Sequence, residues 1–256
     1  MGNLDLLSHV QPDTGCYCIM GLGSYAEQKL VTTREEFDAL VNTYLSEDKD
    51  VYYGVAKFKS VDGGRTKEEV LALKSFWLDI DCGEEKAQPN EKTGRPDGYI
   101  NQAVAFKKLV AFCETVGLPP ATIVNSGRGL HVYWALTEEI TREEWEPVAA
   151  RLLELCNKQE FYVDPAVFEV ARILRVPGTF NYKSTPPSPV EIWGKLRPPI
   201  DFNELRNILG VEETKPFITT EPSRKSALRD KLLDNIESKF SKIMLRSAKN
   251  DGCSQL

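Results

Sequence analysis

The stretch Phe76-Trp77-Leu78-Asp79-Ile80-Asp81-Cys82-Gly83 sets two carboxylates one residue apart at the end of an apolar run. Side chains on a strand alternate faces, so a strand here sends Asp79 and Asp81 to one side and Leu78 and Ile80 into a core. Carboxylates that close repel, and each raises the pKa of the other. A divalent cation removes the repulsion, and Mg²⁺ suits one or two carboxylates completed by substrate phosphates. An ordinary strand end with solvated acids is the plain alternative, so the decision falls to the rest of the chain.

Two β-rich runs, Ala121-Thr122-Ile123-Val124 and Leu130-His131-Val132-Tyr133-Trp134, flank Asn125-Ser126-Gly127-Arg128-Gly129. This reads as a hairpin whose glycines let backbone amides close around an anion. Ser126 adds a hydroxyl, Arg128 a two-pronged donor, and His131 an imidazole on the strand leaving the turn. A satisfied strand histidine is the alternative for His131. Further on, Asp164 precedes Pro165 and reads equally well as a helix N-cap. Arg172 and Arg175, three apart, are expected to share a helical face. Asn181 and Lys183 follow the break at Pro177-Gly178 in an extended segment. Pairing with Glu169 accounts for Arg172 without a ligand, and accounts less well for Arg175 together with Lys183.

Several elements must position these groups. A first strand is expected over 15–22, and a helix opens with Thr33 and Glu36 in capping-box spacing. A strand over 51–58 precedes the acid pair, and a polar loop over 84–98 follows it. A helix over 99–116 is closed by Gly117 and Pro119-Pro120. Thr141 and Glu144 repeat the capping box and open a helix to about Asn157. A short strand at 190–193 and a small helix between Asp201 and Gly210 complete a domain over residues 1–210. Lys57, Lys59, Arg65 and Lys67 are read as solvated loop charges, with a face towards phosphate as the alternative. Residues 211–222 read as a linker, and 223–256 as a basic helical tail, the start of a further domain being one reading of it. The abrupt end after Gly252-Cys253-Ser254 leaves a piece of a longer protein open.

Composition narrows the classes. The chain has 256 residues, 41% of them hydrophobic and 27% charged, as in a soluble globular protein with a sizeable core. No run approaches the ~18 apolar residues of a membrane helix, and Met1-Gly2-Asn3-Leu4-Asp5 does not begin a signal peptide. The six cysteines form no CxxC pair and only His9 and His131 are present, so no zinc spacing exists. The net charge of −6 argues against a basic coat over the whole surface. Between Arg172 and Arg197, however, five basic residues face one acid, Glu191, so a polyanion would meet a local patch.

The order is an acid pair, Ser-Gly-x-Gly-x-His, a third acid, then Leu174-Arg175-Val176-Pro177-Gly178-Thr179-Phe180-Asn181-Tyr182-Lys183. In this the chain resembles the archaeo-eukaryotic primase superfamily, more specifically the primase-polymerases of phages and plasmids. The motif resemblance runs from about Val51 to Lys183, with a compatible flank to Gly210. It implies an α/β (α+β) catalytic core with an RRM-like antiparallel sheet and flanking helices, followed here by a C-terminal helical appendage. It implies that Asp79, Asp81 and Asp164 hold two divalent ions, Mg²⁺ or Mn²⁺. His131, with Ser126 and the backbone around Gly127, Arg128 and Gly129, would contact the incoming triphosphate. Arg175 and Lys183 would hold phosphates, with Arg172 as an addition. This chain has Gly129 where many relatives carry serine, and it lacks the zinc-binding cysteines of some members.

The implied partners are a single-stranded DNA template, a primer and a dNTP or NTP. The tail either adds to strand binding or links to a helicase domain or protein. The resemblance points to a phage- or plasmid-encoded protein in the cytoplasm of a prokaryotic host. Residue types agree on their own terms, because carboxylate-held metals can stabilise both oxygens of an in-line displacement while Arg forks grip phosphate. Two other classes stay in view: a non-catalytic replication-initiation or single-strand-binding module, and a DxD glycosyltransferase. A metal-dependent nuclease is a weaker third.

Overall fold

The acid strand reaches further back than Phe76, because Val70, Leu73 and the run 76–78 all have a core to enter. The computed structural model describes residues 5–212. In chain order it begins with α1 (Asp5–Val10), β1 (Tyr17–Leu22), β2 (Ala26–Val31), α2 (Arg34–Ser46), β3 (Asp50–Gly54) and β4 (Lys57–Phe58). The long strand β5 (Val70–Cys82) is followed by β6 (Gly98–Tyr99), α3 (Gln102–Val116), β7 (Thr122–Asn125) and β8 (Gly129–Ile140). Then come α4 (Arg142–Lys158), β9 (Ile173–Arg175), β10 (Phe180–Asn181), β11 (Ser188–Pro189), β12 (Glu191–Trp193) and α5 (Phe202–Leu209).

The larger sheet has the order β12-β7-β8-β5-β4, antiparallel throughout, with β6 running parallel beside β5. The smaller sheet, β2-β1-β3-β9, is antiparallel. A buried hydrogen bond of 3.0 Å from Tyr53 Oη to Tyr133 Oη joins β3 to β8, so the two sheets face one another. A bridge between Cys16, just before β1, and Phe58 on the edge strand β4 links them further. This is the mixed α/β core with curled antiparallel sheets and flanking helices that the motif order implies.

Helix α4 holds the acid strand in place. Trp145 stacks on Trp77 and Phe76, with ring centroids 4.7 and 5.5 Å apart, and its indole N–H donates to the Ser75 carbonyl. Both capping boxes form, Thr33 with Glu36 and Thr141 with Glu144. Gly117 ends α3 with φ of 85°, a conformation that costs glycine nothing. The start of α3 lies three residues later than the sequence suggests. Gly98 and Tyr99 are recruited beside Asp81 and Cys82, and Asn101 caps the helix instead.

Other expectations are corrected. Neither α1 nor β2 is anticipated: the first is too short to show a period, and the second is a polar edge strand with little apolar alternation. Arg172 and Arg175 do not share a helical face. Residues 173–175 pair with Tyr52, Tyr53 and Gly54, and this edge pairing overrides local helical spacing. The linker beyond Glu212 and the basic tail lie outside the described residues.

Lys57 is not a solvated loop charge. It is fully buried, with Nζ 2.8 Å from the Tyr17 ring centroid. Burial pulls its pKa down to about 8 from a usual 10.5. The folded state therefore holds fewer protons at this site than the unfolded chain between those values, and the charged form weakens the fold below them. Lys57→Met is expected to be more stable than the wild type at pH 7, with the difference shrinking from pH 8 to 10.5. Denaturant unfolding of both proteins across that range checks it, and a difference independent of pH would contradict it.

Candidate active site

The β5–β8 ladder assembles the centre. Asp79 and Asp81 alternate with Leu78 and Ile80 along β5, and the register sets His131 directly opposite Asp79 and Gly129 opposite Asp81. His131 Nε2 lies 3.8 Å from Asp79 Oδ1, close but beyond a hydrogen bond. Gly129 is required by the approach of the strands, since a Cβ there would fall 2.3 Å from the Ile80 carbonyl oxygen. A serine at this position does not fit between the two strands as they stand.

The hairpin turn is built from its own side chains. Asn125 Oδ1 accepts from the Gly127 N–H at 2.8 Å, and Gly127 has φ of 88°. Ser126 is buried, and its carbonyl accepts from Asn181 Nδ2 at 2.8 Å, which ties the turn to β10. Arg128 reaches Glu85 at 2.8 Å near the surface.

The third acid arrives through the backbone. The Asp164 N–H donates to the Asp79 carbonyl at 2.9 Å, so a residue far along the chain is fixed beside the first acid. Asp164 does cap the following turn: Oδ1 accepts from the Ala166 N–H at 2.9 Å. Its other oxygen takes Arg172 Nη2 at 2.7 Å, and the same nitrogen lies 3.8 Å from Asp79 Oδ2. Arg172 thus bridges two of the three acids, and Glu169 is not its side-chain partner. Lys86, which the sequence reading passed over, holds Asp81 Oδ2 at 2.6 Å. Arg175 is buried in an ion pair with Asp50, with a hydrogen bond of 3.1 Å from Nη2 to Oδ2 and an Nη1–Oδ1 contact of 2.7 Å, and its guanidinium lies 4.7 Å over the Tyr52 ring.

One cavity of about 470 Å³ is lined by Asp79, Asp81, Asp164, Ser126, Arg128, His131, Arg172, Arg175 and Lys183. Gly127 and Gly129 are absent from its wall and shape the turn behind it. Lys86, Asn181 and Tyr52 also line it. Asn181 belongs to the 174–183 motif. Lys86 and the buried Asp50 gave no signal, for one sits in a polar loop and the other at a strand start with no diagnostic spacing.

The electrostatics are those of crowded acids beside fixed cations. Burial, and then Asp81, push the Asp79 pKa up to about 7 against the pull of Arg172. Burial, with Arg175 and Arg172 nearby, pushes His131 down to about 3, so its imidazole is neutral. Its Nδ1 is buried without a hydrogen-bond partner among the described residues.

Among the described residues, no three His, Cys, Asp or Glu side chains stand as a ready-made metal cluster. Asp164 is turned onto Arg172 and Asp81 onto Lys86. The donor set nevertheless fits Mg²⁺ or Mn²⁺: the three carboxylates are hard oxygen donors, and cationic side chains already occupy their oxygens.

No protein-family model matches the sequence, and no curated protein matches it by sequence. Solved structures do match. The archaeo-eukaryotic primase (AEP) domain of the cyanophage S-2L primase-polymerase superposes with a TM-score of 0.55 at 18% identity, covering 80% of this chain and 94% of that one. The primase RepB′ gives a TM-score of 0.47 at 10% identity over 94% and 65% of the two chains. The polymerase domain of Mycobacterium tuberculosis Ligase D, in complex with DNA, gives 0.40 at 16% over 77% and 71%. The assignment of fold rests on the first of these.

Removing one partner of a buried ion pair strands the other, at a cost of about 3–5 kcal/mol. Asp50→Asn should therefore destabilise the protein on that scale, read by urea unfolding, because Arg175 is left without its carboxylate. A loss no larger than that of an exposed substitution would show that the pair does not hold the β3–β9 wall. The superposition and the motif order together lead to one statement: this chain has the fold of an archaeo-eukaryotic primase-polymerase catalytic domain.

Proposed function

We propose that the cavity catalyses template-directed nucleotidyl transfer, making and extending primers on single-stranded DNA from dNTPs or NTPs. The observation that carries this reading is the meeting of Asp79, Asp81 and Asp164 with His131, Arg172, Arg175 and Lys183 in one cavity, on the fold of a primase-polymerase domain. The reaction joins a 3′-hydroxyl to an α-phosphate and expels pyrophosphate, so it needs carboxylates on one side and cationic donors on the other.

Asp79, Asp81 and Asp164 would hold two Mg²⁺ or Mn²⁺ ions, which supply charge stabilisation at the attacking and leaving oxygens. His131 is neutral, so one ring nitrogen carries a proton that it can offer to a phosphate oxygen while the other accepts. Arg175 brings positive charge from a position locked by Asp50, which costs no reorganisation when the nucleotide enters. Lys183 follows Asn181, whose side chain holds the hairpin turn, so the basic segment and the turn line the same cavity. The turn itself offers Ser126 and the guanidinium of Arg128. Template and primer would meet the basic stretch 172–197, with binding that weakens as salt rises. No helix among the described residues is long and apolar enough to cross a membrane.

The experiment is incubation of the whole chain with a single-stranded template, labelled dNTPs or NTPs and Mg²⁺ or Mn²⁺, with and without a primer. The wild type should incorporate nucleotide. The double variant Asp79→Ala/Asp81→Ala should lose at least about a thousandfold, the scale on which loss of charge stabilisation acts, while melting as a folded protein. Incorporation retained by that variant would refute the reading. Strand binding without incorporation by the wild type would favour the non-catalytic module, and consumption of a sugar nucleotide without template would favour a glycosyltransferase.

A further inference from the structure

The loop after the acid strand delivers the shortest cation–carboxylate contact in the site. Lys86 Nζ lies 2.6 Å from Asp81 Oδ2. The backbone of Lys86 is locked. Its N–H donates to the Gly83 carbonyl at 3.2 Å, and its own carbonyl accepts from the N–H groups of Asp97 and Gly98 at 3.0 and 2.9 Å. Gly98 permits this closure, since a Cβ there would fall 2.1 Å from the Asp81 carbonyl oxygen. The side chain therefore starts from a fixed point, and only its flexible stem is free to turn.

Two further facts concern where that stem can go. The main cavity adjoins a second one of about 320 Å³ on the α4 side, and Asp81, Lys86 and Asp164 line both. The Lys86 and Asp81 side chains are 36% and 40% exposed, so their pair is solvated and exchangeable, unlike the buried pair of Arg175 with Asp50.

We propose that Lys86 is a tethered counter-ion for Asp81: it covers the carboxylate while no divalent cation is bound, and turns to the phosphates of the nucleotide once a cation takes Asp81. The inference rests on the nucleotidyl-transfer reading and adds to it a residue that exchanges a carboxylate for the nucleotide. Its logic is charge balance. Three carboxylates share one cavity, and Arg172 covers only Asp79 and Asp164. Without Lys86, Asp81 would stand as uncompensated negative charge against the other two. A bound cation repels the ammonium, and the triphosphate that accompanies it presents new acceptors within reach of the same stem. A lysine suits this exchange better than an arginine, being a compact point charge that changes partner without a fixed fork. Lys86 thus opposes the metal alone and favours metal and nucleotide together, a coupling between the two ligands.

The test is Mn²⁺ binding to the whole chain without nucleotide, followed by electron paramagnetic resonance of the free ion, beside KM for the nucleotide. Lys86→Gln and Lys86→Met (the second keeps the apolar stem) should bind Mn²⁺ about threefold tighter or more, the worth of an exposed ion pair. The gain should fade at high salt, and Lys86→Arg, which keeps the charge beside Asp81, should show no gain in Mn²⁺ affinity. Nucleotide KM should rise about threefold in both neutral variants. Wild-type and Lys86→Gln proteins that bind Mn²⁺ equally, while Asp81→Asn binds it weakly, would overturn the counter-ion role and leave the proposed function standing. An unchanged KM would overturn the turn towards phosphate. No Mn²⁺ binding by any of the proteins would bring down both readings. The fold is kept in these variants because Lys86 supports its loop through backbone groups.

Discussion

One antiparallel ladder, β5 against β8, sets the position of everything that matters chemically. Its register decides that Asp79 faces His131 and that Asp81 faces a glycine. A slip of one residue would exchange the faces, bury both acids against Leu130 and Val132 and turn Leu78 and Ile80 into the cavity, so the register is held by the cost of burying charge. Trp145 stacked on Trp77 and Phe76 fixes the strand from α4, and the Tyr53–Tyr133 hydrogen bond fixes it against the smaller sheet. The apolar half of β5 thus supports the charged half.

Around that ladder the chain gathers more negative charge than burial alone would tolerate, and it answers each acid with a named cation. Arg172 spans Asp164 and Asp79, Lys86 covers Asp81, and Arg175 answers Asp50 one layer away. These pairs differ in kind. The Asp50–Arg175 pair is sequestered and acts as a strut between β3 and β9. The Lys86–Asp81 pair meets solvent and can be remade with other partners. A site that takes a cation and a polyanion in turn needs both: a fixed field, and carboxylates whose present partners can leave.

The backbone contact between Asp164 and Asp79 has a second consequence. Asp164 is at once the cap of a short turn and an acid of the site, and the two roles do not compete. One oxygen accepts the Ala166 N–H, while the other faces Arg172 and the cavity. The cap fixes the carboxylate plane, so the local rule that explains the residue in isolation also orients it for chemistry.

Much of this was legible in the sequence for physical reasons. Period-two alternation placed Asp79 and Asp81 on one face, the Ser-Gly-x-Gly turn marked the hairpin that carries His131, and both capping boxes marked their helices. These signals are local, set by neighbours a few residues away. What the sequence did not reveal is non-local or unpatterned. Arg172 and Arg175 carried helical spacing, yet edge pairing with β3 made a strand of 173–175, gave Arg175 the distant Asp50, and set Arg172 between the nearby Asp164 and the distant Asp79. Lys57 looked like a loop charge until two sheets closed over it. Lys86 and Asp50 bore no spacing at all. The sequence by itself determined which side chains could do chemistry and the strands that carry the acid pair and His131. Tertiary structure alone decided which charge answers which, because an ion pair depends on distance through space, and that distance is set only when the sheets pack.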